Sequence, residues 1–183
     1  MFGAQVGYNW QFAPTWLVGL EGDWQWTGGK SSTCLGECGN FPGQGDEFVS
    51  VETKLKWLAT FRGRIGWIHN DYLWYFTGGA AWGKVEQSLT SFEQDETAAP
   101  LSAISTSRTK GGYTVGGGVE TQLWSNWTAK LEYLYVDLGT VSTTGLLQFS
   151  ATGGDPNLTT VDTRVRDHII RAGINYRFGG PGY

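Results

Sequence analysis

Hydrophobic and polar residues alternate along most of this chain. In FGAQVGYNWQF (2–12), Phe2, Ala4, Val6, Tyr8, Trp10 and Phe12 share one face, and Gly3, Gln5, Gly7, Asn9 and Gln11 share the other. A period of two marks a strand with two unlike faces. The pattern recurs over 16–26, 48–68, 110–123, 128–138 and 165–178. On 16–26, Trp16, Val18, Leu20, Trp24 and Trp26 oppose Leu17, Gly19, Glu21, Asp23 and Gln25. On 48–68, Val51, Leu55, Trp57, Ala59, Phe61, Ile65 and Trp67 are grouped against Glu52, Lys54, Lys56, Thr60, Arg62 and Arg64. A seventh strand is predicted over 72–89. Leu73, Tyr75, Thr77, Ala81 and Val85 form its candidate apolar face, with Trp74, Phe76 and Trp82 pointing the other way.

The connections alternate in length. APT (13–15), HND (69–71) and SNW (125–127) are tight turns built of turn-forming residues. The segments 27–47, 90–108 and 139–161 are long and polar, and loops of that length are uncommon in compact soluble domains. Short turns at one end and long polar loops at the other are the layout of a transmembrane β-barrel. Aromatics flank every short turn: Trp10 and Trp16, Trp67 and Tyr72, Trp124 and Trp127. That placement predicts a girdle at a membrane–water interface, with the apolar face on lipid and the polar face on a lumen.

The predicted lumen face carries both signs of charge. Glu21, Glu52, Arg62, Arg64, Glu120, Lys130, Glu132 and Arg171 are the expected internal ion-pair network. An eight-stranded barrel is just wide enough for side chains to fill, so these charges must pair or stay hydrated. The expected pore is narrow at most. Strand direction adds a further expectation. The first and last predicted strands run the same way, so an even-numbered barrel needs one more strand between them. A strand and a signal peptide are therefore expected ahead of residue 1. As it stands, the open-edged sheet could associate with a second copy or another chain.

Composition narrows the alternatives. Among 183 residues there are 28 Gly, 10 Trp, 8 Tyr and 9 Phe, which disfavours both a helical protein and a disordered one. The net charge of −4 and the lack of a basic stretch give no nucleic-acid partner. No cofactor is implied. Cys34 and Cys38 would suit a small loop disulfide, a pair of free thiols or, least well, a metal site. His69 reads as a turn residue and His168 as a rim residue, and no Ser/His/Asp motif, HExxH or P-loop occurs. The chain is not expected to be an enzyme. A soluble lipocalin-like barrel holding a small apolar ligand is the alternative. It would leave the paired tryptophans without a purpose.

The stretches GAQVGYNWQF, WLVGLEGDWQW, ATFRGRIGW, YFTGGAAWG, YTVGGGVETQL, NWTAKLEYLYVDLG and IIRAGINYRFG cover nearly every predicted strand. They resemble the small outer-membrane porin family of alphaproteobacteria, the outer-membrane immunogenic and opacity-type proteins. The resemblance implies an all-β, antiparallel up-and-down barrel of the eight-stranded OmpA kind, forming one domain over 1–183 in the bacterial outer membrane. It also implies a surface antigen or envelope-stabilising role, with outer-membrane lipid and the barrel-assembly machinery as partners. AGINYRF is similar to the C-terminal signal read by that machinery, carried here by Tyr176 and Phe178, although GGPGY follows it.

Overall fold

The computed structural model describes residues 2–36, 48–92, 100–147 and 157–178. These form one antiparallel sheet of strands β1 (Phe2–Ala13), β2 (Trp16–Trp26), β3 (Lys30–Gly36), β4 (Phe48–His69), β5 (Tyr72–Phe92), β6 (Pro100–Trp124), β7 (Trp127–Leu147) and β8 (Asn157–Tyr176). Seven long strands follow one another as an up-and-down meander, β1-β2-β4-β5-β6-β7-β8. The short β3 continues the line of β2 along the same edge of β4. Three two-residue turns join β1 to β2, β4 to β5 and β6 to β7. In the second of them Asn70 takes a positive φ of 54°, a conformation its short side chain tolerates.

The sheet curls on itself. Arg171 on β8 reaches Asp23 on β2, and Gln5 on β1 donates to Asn175 on β8 at 2.6 Å. Among the described residues β1 and β8 share no backbone ladder.

Two irregularities decide which residues face inward. The first lies where β4 passes the break between β2 and β3. The register slips between Leu55 and Trp57, leaving Lys56 as a bulge. The Thr27 N–H donates to the Lys56 carbonyl at 3.1 Å, and the Thr27 hydroxyl donates to the Leu55 carbonyl. A one-residue slip exchanges the faces of a strand. Inside the slip, Trp57, Phe61, Ile65 and Trp67 point outward; beyond it, Val51 and Leu55 point inward. The second irregularity, on β7 between Asp137 and Thr140, contains Gly139 at φ 75°. Beyond Tyr113 and Asp137, β6 parts from β7; β6 stays with β5, and β7 stays with β8. The two outer layers then pack face to face. A side chain at Gly145 would collide with Ile104, and Gln87 bonds both Thr143 and Thr163, at 2.6 and 2.7 Å.

Three expectations change accordingly. The segment 48–68 does not keep one face along its length, because of the bulge. On β5 the outer side carries Trp74, Phe76 and Trp82, while Leu73, Tyr75, Thr77, Ala81 and Val85 fill the interior. Much of the sequence read as long loops is strand, including 100–108, 139–147 and 157–161. Ser and Thr occupy both faces there, which blurs the period of two.

Candidate functional site

The interior is filled in layers. At its centre lies a buried cluster of Glu21 and Asp23 on β2, Arg62 and Arg64 on β4, Glu120 on β6, Lys130 and Glu132 on β7, and Arg171 on β8. Glu21 and Asp23, Arg62 and Arg64, and Lys130 and Glu132 are each two residues apart on their strands, so the pleat turns both members of each pair inward. Arg62 is the hub. Its side chain is 0% exposed and bonds Glu21 at 2.9 Å, Asp23 at 2.9 Å and Glu132 at 3.1 Å. Arg171 donates from Nε to Glu132 at 2.5 Å and grips Asp23 with both terminal nitrogens, at 3.1 and 3.3 Å. Lys130 bonds Glu21 at 2.8 Å and stands 3.7 Å from Glu132. Thr60 and Gln25 complete the shell of Asp23, at 2.5 and 2.7 Å.

Towards the short turns, Arg64 bonds Glu120 at 3.2 Å and Asn9 at 2.7 Å, and its guanidinium lies 5.2 Å from the centre of the Tyr75 ring. Thr128 and Asn175 donate to the other Glu120 oxygen at 2.6 and 3.3 Å. The Tyr75 hydroxyl donates to Glu132 at 3.1 Å, linking the two halves. Four carboxylates thus meet four cations. Removing a charge from water costs several kcal/mol per ion, an expense offset only by such dense pairing.

Apolar layers close the cluster above and below. At the short-turn end Leu17, Leu73 and Tyr75 pack with Ile68. At the other end Leu58, Ala81, Leu134, Val136, Leu138 and Ile169 form one core with Leu55, Val85 and Val141. A further layer of Val51, Leu89, Ile104 and Val161 follows. The interior is therefore apolar, ionic and apolar in turn.

Of the residues expected in the network, Glu21, Arg62, Arg64, Glu120, Lys130, Glu132 and Arg171 come together here. Glu52 does not. It lies beyond the Lys56 bulge on the outer wall, half-exposed, 3.0 Å from Lys54. Asp23 and Tyr75 belong to the cluster although the expected set omits them. Asp23 was visible two residues after Glu21 on the same face. Tyr75 was hidden by its grouping with the apolar face of 72–89.

Trp10, Trp16, Trp67, Tyr72, Trp124 and Trp127 all lie exposed on the outer surface around the short turns. Trp16 pairs across strands with Trp67, and Trp67 with Trp74. Trp124 pairs with Trp127, and Trp127 with Tyr176. Tyr176 packs edge-on against Trp127 and Phe178, with ring centres at 5.1 and 4.9 Å. A second belt lies farther up the wall: Trp24, Trp26, Trp57, Trp82, Tyr113 and Tyr135. Trp24 and Trp57 stack there at 4.5 Å. His69 stacks on Trp67, and His168 bonds the Tyr133 hydroxyl through Nδ1 at 2.7 Å, so both imidazoles belong to aromatic surroundings. Cys34 pairs with Ser50 in the β3–β4 ladder; Cys38, and with it the expected disulfide, lies outside the described residues.

An outward aromatic surface around a charged, filled interior is an inside-out protein, suited to a lipid surround. The profile of the outer membrane protein β-barrel domain matches residues 1–178. The chain belongs to this outer-membrane β-barrel family. It is similar to the 31 kDa outer-membrane immunogenic protein of Brucella melitensis, 35% identical over 177 residues, covering 96% of this chain and 65% of the relative. The 22 kDa outer membrane protein of Rhizobium leguminosarum is 38% identical over 138 residues, 74% of this chain and 52% of that protein. The 25 kDa outer-membrane immunogenic protein of Brucella abortus is 26% identical over 186 residues, covering 96% and 76%. The chain thus spans under two thirds of the length of the first two. No solved structure matches it. As an outer-membrane β-barrel the protein is placed in the bacterial outer membrane.

Proposed function

We propose that this outer-membrane β-barrel is a sealed anchor that holds an outer β-layer at the cell surface, and that it has no catalytic role. The observation that carries the reading is the interior packed between β2 and β8, in which a neutral ionic layer lies between two apolar ones, while β1 stands exposed along its length. Water and ions need a continuous polar path, and Leu58, Leu134 and Leu138 interrupt it. The names of the Brucella relatives, outer-membrane immunogenic proteins, fit outward display. In this reading the two aromatic belts sit at the two lipid interfaces, and Tyr176 with Phe178 is what the assembly machinery engages. The unpaired edges of β1 and β8 are where a further strand, a second copy or another chain would join.

A second reading, a narrow gated pore, draws support from the shared partners in the cluster. Lys130 stands between Glu21 and Glu132, and Arg171 between Asp23 and Glu132, so exchange of partners is geometrically available. Single-channel recording of the purified protein in planar bilayers separates the two. A sealed barrel gives no steady conductance, in wild type or in the charge-reversed Arg64→Glu variant. Discrete openings in wild type that grow in Arg64→Glu would overturn the anchor reading in favour of the gate.

A further inference from the structure

The outer wall of β7 and β8 carries a cluster that neither the interior nor the aromatic belts account for. Arg164 and Arg166, both outward on β8, converge on a single carboxylate oxygen of Asp137, at 2.7 and 3.3 Å. Asp137 is buried beneath them. Its other oxygen accepts the Gly139 N–H at 2.9 Å, so the β7 bulge holds the carboxylate in place. The guanidinium side chains, by contrast, are 54% and 47% exposed. The bonds to Asp137 use one N–H of each guanidinium, which has five to offer. Two half-exposed cations share one buried anion, so most of their N–H groups face outward.

The opposite wall differs. There Lys54 pairs with Glu52 and Lys56 with Glu86, each one to one. Near the arginines, Asp162 lies farther out on the same face and Asp167 points to the other face.

The height of the cluster says what it meets. Tyr113, Tyr133 and Tyr135 belong to the outer aromatic zone beside it, with His168 at 5.2 Å from the Tyr135 ring centre. Aromatic belts sit at headgroup level. Arg166 lies opposite Asp137, two residues beyond Tyr135, or about 6–7 Å farther along the strand. That is the zone of phosphate and sugar, and the planar guanidinium fork suits bidentate phosphate recognition.

We propose that Arg164 and Arg166, seated on Asp137, form a binding site for the phosphate of an outer-leaflet glycolipid headgroup. The lipid's acyl chains would lie along the apolar wall formed by Ile170, Ala172 and Ile174 of β8.

Native mass spectrometry of the purified protein in detergent tests this. The probes are bisphosphorylated lipid A, its dephosphorylated form and inorganic phosphate. Wild type should retain bisphosphorylated lipid A at least about tenfold better than the dephosphorylated form, the loss expected when charge-assisted hydrogen bonds are removed. Arg164→Gln/Arg166→Gln should abolish the preference. Because that variant orphans a buried carboxylate, Asp137→Asn/Arg164→Gln/Arg166→Gln serves as the folded control and should also lose it. Lys84→Gln, on the opposite wall, should keep it. Equal retention of the two lipids by wild type, or an undiminished preference in the triple variant, would overturn the proposal. Inorganic phosphate held as tightly as lipid A would also overturn it, since the site would then be one for a soluble anion.

Discussion

Arg62 on β4 and Glu132 on β7 meet across the lumen at 3.1 Å, seventy residues apart in sequence, and neither side chain is exposed. The contact joins strands that are not neighbours in the sheet, so it ties opposite walls together. Arg62→Ala would leave Glu21, Asp23 and Glu132 short of their common partner. Breaking a buried pair from one side costs about 3–5 kcal/mol. The expected outcome is a large fall in the urea midpoint of the refolded protein in detergent micelles. Glu52→Gln, which removes a half-exposed pair on the outer wall, should shift stability by no more than about 1 kcal/mol. Equal effects of the two changes would show that the central cluster contributes nothing special.

The Lys56 bulge makes a second prediction. Leu55 stands opposite Val85 and Trp57 opposite Lys84, so without Lys56 these two would alternate as in an unbroken ladder. Deleting Lys56 therefore keeps Val51 and Leu55 in the core and Arg62 and Arg64 in the lumen, and the compact, SDS-resistant form seen as faster gel mobility without boiling should survive. Deleting Ala59 removes a paired residue instead and turns either Trp57 and Leu58 or Arg62 and Arg64 to the wrong face, so it should prevent that form. Loss of the compact form in the first variant, or its retention in the second, would contradict this register.

Asp137 predicts a pH response outside the membrane-spanning part. The hydrogen bond from Arg164, followed by the Gly139 N–H, holds its carboxyl at about 2 rather than the ordinary 3.8. A depressed folded-state value means that the pairing contributes fully above the ordinary value and is lost as pH falls through about 2. Carbon-13 titration of the Asp137 carboxyl should show no proton uptake near pH 4 in wild type. Arg164→Gln should move the midpoint up towards the ordinary value. A wild-type midpoint near 4 would contradict the geometry.

Much of this architecture is legible in the sequence because lipid and lumen impose a sharp alternation. Leu131, Tyr133 and Tyr135 against Lys130 and Glu132 could hardly fold otherwise, and the cluster on β2, β7 and β8 follows from that pattern. The misreadings share a physical source. Periodicity assumes that a strand keeps its register, and Glu52 was misplaced because one extra residue at Lys56 reverses the faces. On β5 both faces are apolar, since Leu73 and Tyr75 cap the ionic layer while Trp74 and Phe76 face outward. Hydrophobicity alone cannot orient such a strand. In SAISTSRT (102–109) and VSTTG (141–145), Ser and Thr serve as strand residues on both sides, and the interior is marked only by sparse residues such as Ile104 and Val141.

The parting of β6 from β7 beyond Tyr113 gives the outer end its own small two-layered core, of Val51, Leu89, Ile104 and Val161. The connections from β3 to β4, β5 to β6 and β7 to β8 all depart from this projection. A change made at those connections is thereby insulated from the wall of spanning strands, and added loop length costs little entropy. For an engineer this makes the molecule a carrier: a foreign epitope spliced between β5 and β6 would rest on its own platform, leaving the register of the spanning strands untouched.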